Sequence, residues 1–349
     1  MKNRTEVDKK IEYISFISVV SCFSVLALHT NGCFWIFSAT AKYWKTANFI
    51  ECFFYSAVPC FFMITGITLM DFYDKYTIKE YFVRRFKKTV IPFLAWNCIA
   101  IIAKFCNKRL TISDINLVYL YKGITRTEII PIYWFFTQLF IIYLCLPLFA
   151  AVDKQKRKNV FTYLVVFGFL LNICVPLLKQ FSKFSFLYMP YNLPVVSCYL
   201  IYPLLGWLLH NCEIKNREKY IIYLTALIGF LVHWLGTYYF SLSAGKIVRT
   251  FKGYLNVPCI FYSIGIFVFL KDIGTKIMKF KVMTKMVNFI SSYTFSIYLM
   301  QFIFLGFFPR FINPYSMVYR LGIPFVIIPI IIFITWGMRQ FPVIKRIVP

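Results

Sequence analysis

Apolar residues in this chain fall in long unbroken runs, and polar residues are confined to the gaps between them. The runs from Ile14 to Trp35 and from Phe49 to Met70 are as long as the roughly 20 residues a helix needs to cross a hydrocarbon core of about 30 Å. Neither alternates polar and apolar positions as a membrane β-strand does. The pattern predicts helical spans at 13–34, 48–70, 89–106, 131–150, 159–178, 194–210, 220–240, 253–271, 287–308 and 318–338. The expected fold class is therefore an all-α integral membrane protein. It is a single bundle of about ten transmembrane helices filling one domain over 1–349, with no internal repeat of the kind that marks an inverted-repeat transporter.

Composition agrees. The chain is 60% hydrophobic and only 15% charged, against about 25% charged in an ordinary soluble domain. A net charge of +26 would suit nucleic acid if it formed a stripe on a soluble surface. Here the basic residues flank apolar runs, so topology accounts for them and no nucleic-acid partner is expected. Ten spans put both termini on one side. The loops of that side hold 25 of the 39 Lys and Arg, which makes it the cytoplasmic side. The first run is too long for the core of a secretory signal and ends in His29-Thr30-Asn31 without a cleavage site, so it is expected to stay as a helix. The eleven cysteines form no CxxC pair and lie mostly inside the spans. Buried free thiols are expected, with no disulfide framework and no metal site.

Ionisable groups at membrane depth cost about 2.5–3.5 kcal/mol on insertion scales, so each is a functional candidate. His29 lies deep in the first span, toward the outer side, and His233 lies at comparable depth in the seventh. Glu51 lies near the outer end of the second. The plain alternatives are a hydrogen-bonded core imidazole for each histidine and a headgroup-level carboxylate for Glu51, while His210 reads as an interfacial residue. Asn97, Gln138, Asn172, Asn256 and Gln301 suit helix–helix hydrogen bonding. Arg84-Arg85-Phe86-Lys87-Lys88 is expected at the cytoplasmic start of the third helix. Topology alone explains such a cluster, but guanidinium groups beside a helix N-terminus also make a phosphate clamp. Three outer connections are expected to shape a mouth: Asn107 to Ile130, Lys179 to Pro190 and Ser241 to Lys252. Asn313-Pro and Met189-Pro read as turns.

Several stretches, in order, resemble the acyltransferase-3 family of membrane acyltransferases. Val25-Leu26-Ala27-Leu28-His29 is similar to its helix-one histidine motif. Val58-Pro59-Cys60-Phe61-Phe62-Met63-Ile64-Thr65-Gly66 is similar to its "PLFFMISG" stretch, with Thr65 for the usual serine. Arg84 to Lys88, followed by Ile91-Pro92-Phe93-Leu94-Ala95-Trp96, resembles its basic motif and proline. Tyr133-Trp134-Phe135, with Tyr143 and Pro147, resembles its "WF…Y…P" helix, and Tyr293 to Leu299 gives a weaker echo. The chain departs from the family at Ser18, where an arginine is usual, at Lys88, where the second basic residue is usually arginine, and at Gln301, where a histidine often stands.

The resemblance implies transfer of an acyl group, commonly acetyl, from its coenzyme A ester to a hydroxyl of an extracytoplasmic glycan or glycolipid. It implies a multi-pass protein of a bacterial inner membrane, with acetyl-CoA or another acyl-CoA as co-substrate and no resident cofactor. The residues it points to are His29 for catalysis and Arg84, Arg85 and Lys88 for the acyl-CoA, with Trp134 and Thr65 as secondary positions; Glu51, as a second catalytic residue, and His233, as a further secondary position, are added as ionisable groups at membrane depth. A neutral imidazole is a suitable base near pH 7. The competing reading is a transporter or flippase of a glycan or lipid-linked intermediate, since a bundle with a polar interior suits translocation equally well.

Overall fold

A computed structural model describes residues 4–181 and 192–349. Most of the expected connection from Lys179 to Pro190, with its Met189-Pro turn, lies outside the described residues. Every regular element in them is helical. The first half comprises α1 (Arg4–Thr30), α2 (Lys42–Phe54), α3 (Ala57–Leu69), α4 (Ile78–Arg85), α5 (Ile91–Cys106), α6 (Leu117–Thr125), α7 (Trp134–Ala150) and α8 (Lys154–Phe169). The second comprises α9 (Val175–Lys179), α10 (Ile201–Asn211), α11 (Asn216–Leu231), α12 (Thr237–Ala244), α13 (Val257–Ile277), α14 (Lys281–Ser291), α15 (Thr294–Phe307) and α16 (Ile323–Met338).

Several of these helices join into longer rods. Among the described residues, eight are long and apolar enough to cross a membrane, including Lys42–Asp74, Ile78–Cys106, Lys154–Lys179 and Asn216–Ala244. A ninth results if α14 and the stretch Thr294–Arg310, bent by 57°, count as one span. The expected span 194–210 is instead two short 3-10 turns followed by the 11-residue α10.

Among the described residues, four π-helical turns interrupt the rods, at Phe86–Val90, Leu170–Cys174, Val232–Gly236 and Val318–Gly322. Three of them end immediately before an Ile-Pro or Val-Pro step, at Pro92, Pro176 and Pro324. A proline ring collides with the carbonyl four residues back in a regular α-turn. The wider turn relieves that collision: the N–H groups of Ile91, Val175 and Ile323 each bond five residues back, to Phe86, Leu170 and Val318.

The first of these turns corrects an expectation. The basic cluster does not begin its helix, because Thr77 does: its side chain accepts from the Glu80 N–H while the Glu80 carboxylate accepts from the Thr77 N–H. Arg84 and Arg85 therefore lie in the second turn of α4, where no N-terminal dipole assists them.

The centre of the bundle is α1, which packs against α3, α13, α14, α15 and α16. A close crossing joins α3 and α10, where Gly66 and Gly206 face each other's backbone. A Cβ at Gly66 would stand 2.0 Å from the Pro203 carbonyl oxygen, and one at Gly206 would stand 2.2 Å from that of Met63. Small residues allow such approach where lipid supplies no hydrophobic drive between helices. Side chains with large apolar surface, such as Leu148, Phe325 and Phe333, point outward, as a lipid-facing surface requires.

Of the amides expected to join helices, only Asn172 does so, donating to the Leu193 and Val196 carbonyls and accepting from the Leu193 N–H. Asn97 and Gln301 bond carbonyls of their own helix, Asn256 bonds the Thr250 carbonyl and Gln138 its neighbour Thr137. The asparagines that do join distant elements are Asn31, to the Ala47 carbonyl, and Asn48, to that of Trp234. The Asn313-Pro turn forms as expected, with the Tyr315 N–H on the Asn313 side-chain oxygen.

Candidate active site

A cavity of about 930 Å³ runs along the bundle interior, at the upper end of the range for small-molecule sites. Its wall includes Ser18 and His29 from α1, eleven residues apart, which is roughly 16 Å along a helix axis at about 1.5 Å per residue. Val58, Thr65, Trp134 and Tyr143 line it along α3 and α7. Arg85 and Lys88 border it toward one end of the bundle; Trp35, Glu51, Arg249 and Lys252 border it toward the other. The two regions that the sequence assigns to a phosphate clamp and to an imidazole thus open on one continuous space.

Near the first end, Arg85 is half-buried with its guanidinium 5.8 Å from the Tyr143 ring centre, and its Nε is buried without a hydrogen-bond partner. Lys88 is exposed. The Phe86–Val90 π-turn sets the angle at which these residues meet the cavity. Arg84 does not reach it; its guanidinium lies 4.9 Å from the Tyr76 ring centre, on another face of α4.

His29 occupies the last turn of α1. Its Nδ1 is buried with no hydrogen-bond partner among the described residues. Nε2 is not among the buried unpaired atoms, so it is the nitrogen open to the cavity. On the wall of the same cavity, the Glu51 Oε1 accepts from the Lys252 ammonium at 3.1 Å, with side-chain exposures of 5% and 0%. The ammonium also lies 3.9 Å from the Tyr55 ring centre and 4.6 Å from that of Phe34. Burying a charge in an apolar bundle requires such partners. Oε2 of Glu51 is buried and unpaired. Tyr55 stacks on Tyr254 at 4.1 Å, and Tyr254 on Trp134 at 5.3 Å, giving a continuous aromatic wall.

Thr65 lines the cavity with its hydroxyl donating to the Phe61 carbonyl. Ser18 lines it too, its hydroxyl 3.3 Å from that of Thr294. His233 does not: it is fully buried behind Tyr55, ring centres 5.0 Å apart, with neither nitrogen hydrogen-bonded. Of the expected mouth segments, 241–252 contributes Arg249 and Lys252, whereas 107–130 contributes nothing to this cavity and instead carries α6 and part of a smaller pocket.

The all-helical architecture agrees with sequence comparison. The profile of an acyltransferase domain, acyltransferase-3, matches residues 11–339. The chain belongs to the acyltransferase-3 family. It is a multi-pass membrane protein and an acyltransferase, acting between an acyl donor and an acceptor. No curated protein and no solved structure matches it.

Within this acyltransferase, sequence reasoning missed Lys252, Arg249 and the tyrosine wall. Lys252 sits in what reads as an ordinary basic outer loop, and nothing local signals that it turns inward to Glu51. Arg339 was also missed. It donates to the carbonyls of Ser292, Val348 and Pro349, and Trp96 donates to that of Ile347. Together they fold 347–349 against the cavity, which Pro349 lines.

Proposed function

We propose that this acyltransferase moves an acyl group, acetyl in the simplest case, from cytoplasmic acyl-CoA to a hydroxyl of an extracytoplasmic glycan, with His29 as general base. The observation that carries the reading is the single cavity bordered by Arg85 and Lys88 toward one end and by His29 and the Glu51–Lys252 pair toward the other. The end bearing most of the Lys and Arg is assigned to the cytoplasm. Phosphates of the donor rest on Lys88 and on the Arg85 guanidinium, and the pantetheine arm extends through the cavity to present its thioester near His29.

The acceptor enters from the opposite end. Nε2 of His29 takes the proton of its hydroxyl as that oxygen bonds to the thioester carbonyl carbon. The carbon–sulfur bond then breaks, and the departing thiolate takes a proton from the imidazolium. The base returns to its neutral form and coenzyme A leaves as the thiol. Such a base contributes about 10²–10⁴-fold. Glu51 and Lys252 pair with one another on the wall of the same cavity.

The test is reconstitution in lipid vesicles with radiolabelled acetyl-CoA, together with mass spectrometry of envelope glycans from cells with and without the protein. Wild type should add one acyl mass to the glycan, and His29→Ala, still present in the membrane, should add none. Normal transfer by His29→Ala removes the base from the mechanism. Transport of glycan with no consumption of acyl-CoA favours translocation instead.

A further inference from the structure

The cavity end occupied by Glu51 carries more than the reaction needs. Arg249 borders it, exposed, with its guanidinium 5.4 Å from the Trp35 ring centre and no carboxylate paired to it among the described residues. The nearby acid, Glu51, is already matched by Lys252. The charge of Arg249 is therefore uncompensated at the cavity mouth. Trp35 borders the same space and is 49% exposed, so its indole is available to a ligand at this mouth. Deeper in, two buried acceptor atoms of cavity-lining side chains have no partner: Oε2 of Glu51 and Oδ1 of Asn256. Unpaired buried acceptors lose about 1–3 kcal/mol each unless a donor arrives.

The chemistry that satisfies all four features at once is a ring with hydroxyl donors, a flat carbon face and an anionic substituent. We infer that the acceptor is an acidic sugar unit. Its carboxylate or phosphate pairs with Arg249, its ring face lies on Trp35, and its hydroxyls donate to Glu51 Oε2 and Asn256 Oδ1, in the cavity that His29 also lines. A planar guanidinium binds either oxyanion in a two-pronged fashion. A neutral sugar would satisfy the acceptors and leave the cation unmatched. The inference rests on the proposed direction of transfer, because it assigns this mouth to the acceptor.

The experiment uses the full chain in nanodiscs and a matched set of probes: glucuronate, glucose 6-phosphate, glucose and inorganic phosphate. Binding is read by calorimetry and acylation by mass spectrometry, with acyl-CoA affinity measured on each preparation as the control for an intact donor site. Glucuronate or glucose 6-phosphate should bind at least about tenfold more tightly than glucose, the factor a charge-assisted hydrogen bond supplies. Which of the two binds better distinguishes carboxylate from phosphate. Arg249→Gln should erase the preference, Arg249→Lys should keep part of it, and added salt should weaken it, since the group is exposed. Trp35→Ala should weaken both acidic sugars and leave inorganic phosphate unaffected.

Equal binding of glucose and glucuronate overturns the inference, as does an acidic preference that survives Arg249→Gln. Failure of every sugar to bind overturns it too, and inorganic phosphate matching glucose 6-phosphate reduces the site to an anion pocket and does the same. None of these outcomes touches the proposed function as long as acyl-CoA binds and His29 is needed for transfer. Loss of donor binding in wild type would instead strike the proposed function.

Discussion

Lys252 shows how far a single side chain depends on its surroundings. Its ammonium survives burial because Glu51 and the faces of Tyr55 and Phe34 replace water around it. Removing one member should leave a bare charge in the bundle. Glu51→Gln and Lys252→Met alone are each expected to destabilise by about 3–5 kcal/mol, with the double substitution well short of additive. Thermal unfolding in detergent measures this, and additivity of the two singles would show the pair to be uncoupled. Arg85 and Arg84, adjacent in sequence, are expected to behave differently. Arg85→Ala with Lys88→Ala should raise the Michaelis constant for acyl-CoA by about tenfold or more, the worth of a lost charged hydrogen bond, whereas Arg84→Ala should barely move it. Equal effects at both arginines would show that proximity to the cavity is not what matters.

Between elements, glycine and proline set the geometry. Gly66 closes the Phe-Phe-Met-Ile-Thr-Gly stretch and lies against the backbone of α10, as Gly206 lies against that of α3. Backbone cannot yield as a flexible side-chain end can, so even one methyl must push the two helices apart. Gly66→Ala is expected to cost about 1–3 kcal/mol by overpacking, read as a lowered melting temperature. Because α3 carries Val58 and Thr65 in the cavity wall, transfer should fall with it. An unaltered melting temperature would mean that the crossing tolerates more space than its geometry allows. The helix starts were partly readable beforehand: Thr77 and Glu80 stand at capping-box spacing, yet the apolar run that follows only becomes strong near Thr89, which drew the expected boundary too far along. Apolar length marks where a helix meets lipid, whereas capping chemistry marks where it begins.

For the molecule as a whole, the proposed reaction needs an open passage from one end of the cavity to the other. Ser18 sits in its wall roughly 16 Å from His29 along α1. Ser18→Trp should block the passage, abolishing transfer while the protein still inserts in the membrane and its melting temperature stays near that of wild type. Undiminished transfer by that variant would mean that donor and acceptor meet by another route. The bundle and its membrane character were plain from the apolar runs, because twenty residues without charge have few alternatives to a spanning helix. The number of spans was less so. Where the chain reads as a span at 194–210 it forms 3-10 turns and a short helix, a shape that depends on what surrounds it and leaves no trace in hydropathy. Periodicity and motif order were enough to select His29, Arg85, Lys88, Thr65 and Trp134 as cavity residues, since each sits in a local pattern of its own. They could not separate Arg84 from Arg85, or His233 from His29, because facing a cavity and facing a neighbouring helix are matters of rotation within the bundle. Nor could they find Lys252 and Arg249, whose partners lie some two hundred positions earlier in the chain and are brought beside them only when the helices pack.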